Sequence, residues 1–314
     1  MPLASDATER LDAPAGPARR LVLVNPASGS ASDADPLAAL RPHFGDDPAT
    51  YHLVRPEDSL PDLARRAAES GAEAVVAVGG DGTVAAVAQG LVGSQTPLGI
   101  VPQGTANVLS KELGIPTDLE AACRLIAGPH AVARIDAIEV AGRHVLTQVG
   151  VGLDALMIRD TDEGAKKRWG NLAYLATAAT RLAGLAPRHF RLTIDGKTVR
   201  PRSSQIVLAN AGTLGQPPFR WGPDIRPDDG RIDVCILRAR SGWDHLRAAW
   251  YTLRHRHEES GAIQYVPALK EVEIAAERPL PVQGDGEIVG QTPLKARVVP
   301  GALRVIVPET PAAE

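Results

Sequence analysis

The sequence predicts an α/β amino-terminal domain over residues 20–134 and an antiparallel, β-sandwich-like carboxyl-terminal domain over residues 135–299, with a last strand at 300–310 completing the first domain. Three observations predict it. Over residues 20–135 short β-branched runs alternate with Ala-rich amphipathic stretches, the pattern of β-α units feeding a parallel sheet. Beyond residue 134 strand-like segments dominate. The length of 314 residues, at roughly 100–200 residues per domain, favours two domains over one.

Taken in order, LVLVN at 21–25 reads as a buried strand, followed by a helix from Pro36, a strand at 51–54 and a helix at 60–69. The run AEAVVAVGG then supplies a strand at 74–78, stopped by Gly79 and Gly80. Residues 83–91 read as helix, PLGIVP as a short strand, and 106–113 as a helix ended by Gly114 and Pro116. The second half offers ARIDAIEV, HVLTQVGVG, FRLTIDGKTV, SSQIVLANAG, GRIDVCILRA, KEVEIAA and RVIVPE as strands, with helical inserts at 169–185 and 243–255. Residues 1–19 mix acidic residues with Pro and Ala and lack the apolar core of a secretory signal, so a disordered tail is expected there.

Composition narrows the function classes. With 44% hydrophobic and 23% charged residues, a collagen-like, coiled-coil or wholly disordered chain is excluded. No run approaches 18 apolar residues, so no membrane-spanning helix is expected. Cys123 and Cys235 fit neither a zinc nor a redox spacing, which points to a reducing cytoplasm. The net charge of −3 argues against an electrostatic nucleic-acid binder. That charge is unevenly spread: residues 166–256 hold 17 Lys and Arg against 6 Asp and Glu, a local +11 that leaves −14 elsewhere. One face meeting an anionic surface would explain this, and so would an Arg-rich host composition. The KKRWGNLAYL stretch at 166–175 suits either a membrane interface or a solvated helix start. His255 and His257 lack further ligands and mark a helix end rather than a metal site.

Three loops carry the chemistry. In VVAVGGDGT at 75–83 a buried strand ends in Gly80, Asp81, Gly82 and Thr83 as a helix begins. Glycines there let backbone N–H groups approach a phosphate, and the helix presents its positive end to it. A carboxylate beside phosphates would repel them unless a divalent cation or a network of waters lies between, so Asp81 points to Mg2+ and nucleotide together; a plain capped turn is the alternative. A second loop, Asn25, Pro26, Ala27, Ser28 and Gly29, also follows a buried strand, and a third, PQGTAN at 102–107, brings Gly104 and Thr105. Loops at the carboxyl ends of successive parallel strands face one crevice, which is where open α/β sheets bind ligands.

NPASG, GGDGT, GTANVLSKELGIP and a late Asp285-Gly286-Glu287 together resemble the diacylglycerol kinase catalytic-domain family, which includes sphingosine kinases, over nearly the whole chain. GGDGT alone is shared with NAD kinases and phosphofructokinases; the other elements in this order are more specific. The resemblance implies an α/β nucleotide domain and an antiparallel β domain with ATP bound in a cleft between them. It assigns residues 25–29, 80–83 and Thr105 to the nucleotide. It also implies a structural Mg2+ on Asp229, with the main-chain carbonyls of Arg226 and Arg231, and an acidic residue near Mg2+ at Asp136. Asp285 and Glu287 correspond to the acidic catalytic motif, expected on one face of an extended segment. A lipid hydroxyl needs a carboxylate to take its proton, and either residue could be that base or orient the metal. The chain departs from the family at Val84, Ala85 and Ala86, where relatives continue with an aliphatic residue and Asn-Glu, and it lacks a Thr or Ser near Val54.

The expected protein is a Mg2+-dependent ATP:lipid kinase acting on the hydroxyl of a diacylglycerol-like lipid. It would be cytoplasmic and peripheral to the inner face of the membrane, held by anionic lipids, with a homodimer left open. An NAD kinase-like kinase of a soluble acceptor and a non-catalytic lipid-binding regulator are the alternatives.

Overall fold

The computed structural model describes residues 8–11, 20–28, 37–47, 50–152, 187–215, 220–222, 224–238, 251 and 261–309. The chain forms two compact units, Met1–Ala137 with Pro300–Glu314, and Ile138–Val299. The helical inserts expected at 169–185 and 243–255, and the cluster Lys166, Lys167 and Arg168, lie outside the described residues.

Unit 1 contains β1 (Thr8–Leu11), β2 (Arg20–Val24), α1 (Arg41–Phe44), β3 (Tyr51–Leu53), α2 (Leu60–Glu69), β4 (Ala74–Gly79), α3 (Asp81–Leu91), β5 (Leu98–Pro102), α4 (Val108–Glu112), α5 (Leu119–Ala127) and the start of β6 (His130–Val140). Strands β3, β2, β4 and β5 are parallel neighbours in that order. Strands β4 and β5 are buried and apolar on both faces, as expected where helices cover a parallel sheet on both sides. Val22, Val76, Val78, Val101 and Ile126 form one buried cluster. Ser59 caps α2 by accepting from the Asp62 amide, and Asp118 caps α5 by accepting from Ala121 at 2.9 Å. Three features depart from the sequence reading. α5 was not expected, although Asp118 and Gly128 bracket it, and within the segment expected as a disordered tail residues 8–11 pair antiparallel with β6. The helix expected from Pro36 is the single turn α1.

Unit 2 takes the rest of β6 and continues through β7 (Arg143–Val145), β8 (Gln148–Gly152), β9 (Arg188–Ile194), β10 (Lys197–Val199), β11 (Arg202–Ser203), β12 (Gln205–Ala209), β13 (Ile232–Leu237), β14 (Ile263–Ala268), β15 (Glu271–Ala276), β16 (Pro281–Gly284), β17 (Glu287–Gln291) and the start of β18 (Leu294–Val307). The end of β18 returns to unit 1, parallel to β5. One sheet runs β14-β13-β12-β8-β16-β17, wholly antiparallel. The other includes the antiparallel run β10-β9-β15-β18. Val149, Val151, Ile206 and Val234 from the first sheet share a buried core with Phe190, Leu192, Val272 and Ile274 from the second. Each such side chain contributes about 1.5–3 kcal/mol when fully buried, so the sandwich is held chiefly by this shared layer.

Three hairpins of unit 2 turn through two residues with positive φ: Ala141-Gly142, Asp195-Gly196 and Asp285-Gly286. This is the pattern of type I′ turns, whose twist matches that of the paired strands.

Candidate active site

In unit 1 the three glycine-containing loops are tied into one piece. Leaving β2, the Asn25 amide donates to the Val78 carbonyl at 3.0 Å, and its side-chain amide donates to the Thr83 hydroxyl at 2.8 Å. Asn25 Oδ1 accepts from the Ala27 amide, folding the loop back on itself and leaving Pro26 and Ala27 exposed. Ser28 is half-buried, and Gly29 lies outside the described residues. Beyond β4, a Cβ on Gly79 would fall 2.6 Å from the Thr83 side chain, and one on Gly104 would fall 2.7 Å from the Gly80 Cα. Only glycine permits these approaches.

Asp81 supplies the tightest of these ties. One carboxylate oxygen accepts the Asn107 amide at 2.8 Å and the other the Val108 amide at 2.6 Å, satisfying donors at the start of α4. Asn107, in the left-handed region at φ 46°, accepts from the Gly104 amide and donates back to the Gly104 carbonyl. The carboxylate expected to organise Mg2+ is thus engaged by main-chain amides and fixes the third loop to the second. What remains exposed is Gly82, in the first turn of the 11-residue helix α3, and Thr105, a setting of backbone donors and helix dipole that suits phosphate oxygens. Asp136 on β6 is only 3% exposed, and its carboxylate accepts the Gly301 amide at 2.7 Å. It joins two strands of unit 1.

In unit 2 the Asp-Gly-Glu motif occupies the β16-β17 hairpin. The extended conformation expected for it is incorrect, because Asp285 (φ 48°) and Gly286 (φ 90°) are the two central residues of the turn. Asp285 points inward. Its carboxylate accepts the Leu146 amide at 2.8 Å, the Thr147 amide at 2.9 Å and the Thr147 hydroxyl. Burial pushes this carboxyl above its ordinary value, against the opposing pull of those hydrogen bonds. Glu287 is exposed and ion-paired with Arg143 at 3.0 Å. The two carboxylates therefore have different surroundings although one residue separates them.

The sequence reading missed the residues that support Asp285. Asn210, fully buried, donates to the Leu146 carbonyl at 2.7 Å, the Trp221 indole donates to the Gln148 side chain, and Tyr265 donates to the Trp221 carbonyl. The signal available was the polar pair Thr147-Gln148 inside an otherwise apolar strand run. Arg143 had no signal beyond its charge.

At the Pro-Asp-Asp-Gly turn the Asp229 carboxylate expected to hold a structural Mg2+ is already engaged. Asp229 accepts the Arg231 amide at 3.2 Å, and its other oxygen lies 3.2 Å from the Arg231 guanidinium. Asp228, 1% exposed at its side chain, pairs with Arg226 at 3.0 Å. Among the described residues no group of three or more His, Cys, Asp or Glu is arranged to hold a metal ion. Asp229, the one side-chain ligand expected there, does not fit a divalent cation as it stands, because the Arg231 guanidinium already faces its carboxylate.

Residues 19–140 match the diacylglycerol kinase catalytic domain, and residues 147–307 match the YegS C-terminal NAD kinase beta sandwich-like domain. The chain belongs to the diacylglycerol kinase catalytic-domain family. Within that family, a Staphylococcus aureus protein (strain bovine RF122 / ET3-1) named "Putative lipid kinase" is 28% identical over 234 residues, covering 73% of this chain and 75% of that one. A Synechocystis protein of strain ATCC 27184 / PCC 6803 / Kazusa, named as uncharacterized, is 27% identical over 238 residues; the match covers 74% of this chain but 54% of that longer protein. A crystal structure of a diacylglycerol kinase from Bacillus anthracis str. Sterne superimposes with a TM-score of 0.74 at 24% identity, covering 93% of this chain and 97% of the other, and shares the fold. The lipid-kinase family and the α/β plus antiparallel β-sandwich fold expected from the sequence are those found.

Proposed function

We propose that this protein transfers the γ-phosphoryl group of ATP, bound with Mg2+, to the hydroxyl of a diacylglycerol-like lipid. The observation that carries the reading is the tied loop cluster of unit 1, where Asn25 bonds Thr83, and Asp81 and Asn107 fix the third loop to the start of α3 beside the exposed Gly82 and Thr105. Such preorganised backbone donors suit a chain of phosphates and need no rearrangement as charge develops. Mg2+ enters with the nucleotide and neutralises charge on the transferring group.

Of the two candidate carboxylates, Asp285 is the better base. It is fixed by three donors and burial raises its proton affinity, which favours proton acceptance. Glu287, paired with Arg143, takes the accessory role of meeting substrate or metal. Unit 2 is proposed to hold the acceptor lipid. No helix among the described residues is long and apolar enough to cross a membrane. Peripheral binding to anionic lipid on the inner face of the membrane, through the +11 stretch at 166–256, is the proposed route to the substrate.

A phosphorylation assay with labelled ATP tests this, with diacylglycerol in mixed micelles, NAD and no acceptor run in parallel. Label in the lipid supports the proposal. Label in NAD assigns the protein to soluble-acceptor kinases, and ATP binding without transfer to either assigns it to non-catalytic binders. Replacing Lys166, Lys167 and Arg168 with Ser should weaken salt-sensitive sedimentation with phosphatidylglycerol vesicles while sparing turnover of a short-chain lipid; equal loss on both would refute the membrane role.

A further inference from the structure

The contacts of Arg231 go beyond an ordinary surface ion pair. Its Nε lies 3.2 Å from an Asp229 oxygen and 3.5 Å from an Asp233 oxygen. A terminal nitrogen donates to the main-chain carbonyl of Asp224 at 3.5 Å, and its own amide donates to Asp229 at 3.2 Å. Two carboxylates and a backbone carbonyl are hard-oxygen donors of the kind that Mg2+ selects. Here they face different nitrogens of one covalently attached cation. The side chains are 35% exposed for Arg231, 20% for Asp229 and 10% for Asp233, so the Asp233 end of the arrangement is the one withdrawn from solvent.

We propose that Arg231 is a built-in counter-ion that replaces a structural divalent metal at the Pro-Asp-Asp-Gly turn, so that unit 2 folds and holds its shape without metal. A guanidinium can do this because its charge is permanent; Nε, buried and without a hydrogen bond, faces the Asp229 and Asp233 carboxylates as a charge. A divalent cation drawn to Asp229 would meet that fixed positive charge at close range and would have to displace it. The pair Arg226-Asp228 strengthens the arrangement from the other side of the turn, since a carboxylate 1% exposed at its side chain is already matched by a guanidinium. The turn leads directly into β13, and Trp221 and Ile225 ahead of it pack with Val207 and Cys235 of the sandwich. The ion pairs therefore fix the entry of a core strand.

This inference concerns the protein without nucleotide, so its test stands apart from the kinase reading. Thermal unfolding of the full chain should give the same Tm in EDTA and in millimolar Mg2+ at matched ionic strength. Arg231→Leu vacates the charge and frees both carboxylates: its Tm should fall by several degrees in EDTA and be restored by Mg2+. Arg231→Lys, which keeps a cation, should remain indifferent to Mg2+. A Mn2+ titration followed by electron paramagnetic resonance should find no site of micromolar affinity in the wild type, a result that needs no variant to fold. A wild-type Tm that rises with Mg2+, tight Mn2+ binding, or an Arg231→Leu protein that folds yet ignores Mg2+ would each overturn the proposal.

Discussion

Two Asp-Gly hairpins in unit 2 share a backbone and differ in chemistry. Asp195-Gly196 joins β9 to β10 and Asp285-Gly286 joins β16 to β17, each through two positive φ values. Both aspartates also reach across to main-chain amides of a neighbouring segment. Asp195 accepts from Leu269, Lys270 and Glu271 at 2.8–3.0 Å, and Asp285 accepts from Leu146 and Thr147. Their proton affinities nevertheless move in opposite directions. Partial burial raises that of Asp195, but the three amides and the Lys270 charge outweigh it and the net shift is downward. At Asp285 the desolvation prevails and the shift is upward. A hairpin staple thus becomes a candidate base when its carboxylate is enclosed, with no change in the turn itself.

Replacing each aspartate by Asn is the strongest way to break this comparison. Asp285→Asn should lower kcat by at least about 10²-fold, the usual worth of a general base, while Asp195→Asn leaves kcat within about twofold. Circular dichroism on both variants checks that the sandwich persists. Equal losses at the two positions would mean that both residues merely hold hairpins.

The second test uses pH. If Asp285 is the base, the acid limb of kcat/KM lies above the ordinary carboxylate range, because activity is lost as pH falls through the raised value. Thr147→Val removes one donor to the charged form, so the limb should move further up, by about one unit for a hydrogen bond worth about 1.4 kcal/mol. An acid limb unmoved by Thr147→Val assigns the ionisation to another group.

Stability should separate the hairpins with opposite signs. A lowered pKa means that Asp195 contributes stability present above the unfolded-state value and lost as pH falls through the folded one. A raised pKa means the reverse for Asp285: the folded state loses stability as pH rises from the unfolded-state value through the folded one. Unfolding midpoints across this range, wild type against each Asn variant, should therefore differ with slopes of opposite sign. Slopes of one sign would remove the electrostatic distinction.

How far the sequence reached depends on whether local chemistry or tertiary placement decided the outcome. The helix at 60–69 was legible because Ser59 and Pro61 mark its start and Gly71 follows its end. The loops of unit 1 were legible because close backbone approach at Gly79 and Gly104 demands glycine, and glycine is visible in a sequence. β14 and β16 were not, since each carries a proline, Pro267 in an edge strand and Pro281 at a strand start, which are places where strands tolerate it and where pattern reading discounts it. The error at Asp285-Gly286 was different in kind. Asp-Gly between two strand runs is itself a hairpin signal, and weight given to the acidic motif as an extended segment hid it. The inward turn of Asp285 depends on Leu146 and Thr147, more than a hundred residues away in the chain, and no local pattern encodes that.

The smallest expected effect concerns the ion pairs beside the two hairpins. Arg143 meets Glu287 next to Asp285, with side chains 48% and 59% exposed, and Lys295 meets Glu271 next to Asp195 at 2.7 Å with similar exposure. Pairs in such solvent contribute about 0.2–1 kcal/mol, so neither should matter to folding. What separates them is what their carboxylates face. If Glu287 assists at the reacting groups, releasing it by Arg143→Gln should lower kcat by about two- to fivefold, the same energy expressed as a rate, with Tm unchanged. Lys295→Gln should alter neither quantity, because Glu271 only continues a strand whose amides Asp195 already holds. Raising the salt concentration should reproduce part of the Arg143→Gln loss in the wild type and add nothing to the variant, since screening and substitution remove the same attraction. A loss beyond tenfold would instead place Arg143 against the substrate. Identical, silent behaviour of the two substitutions would leave Asp285 as the sole functional carboxylate of its hairpin.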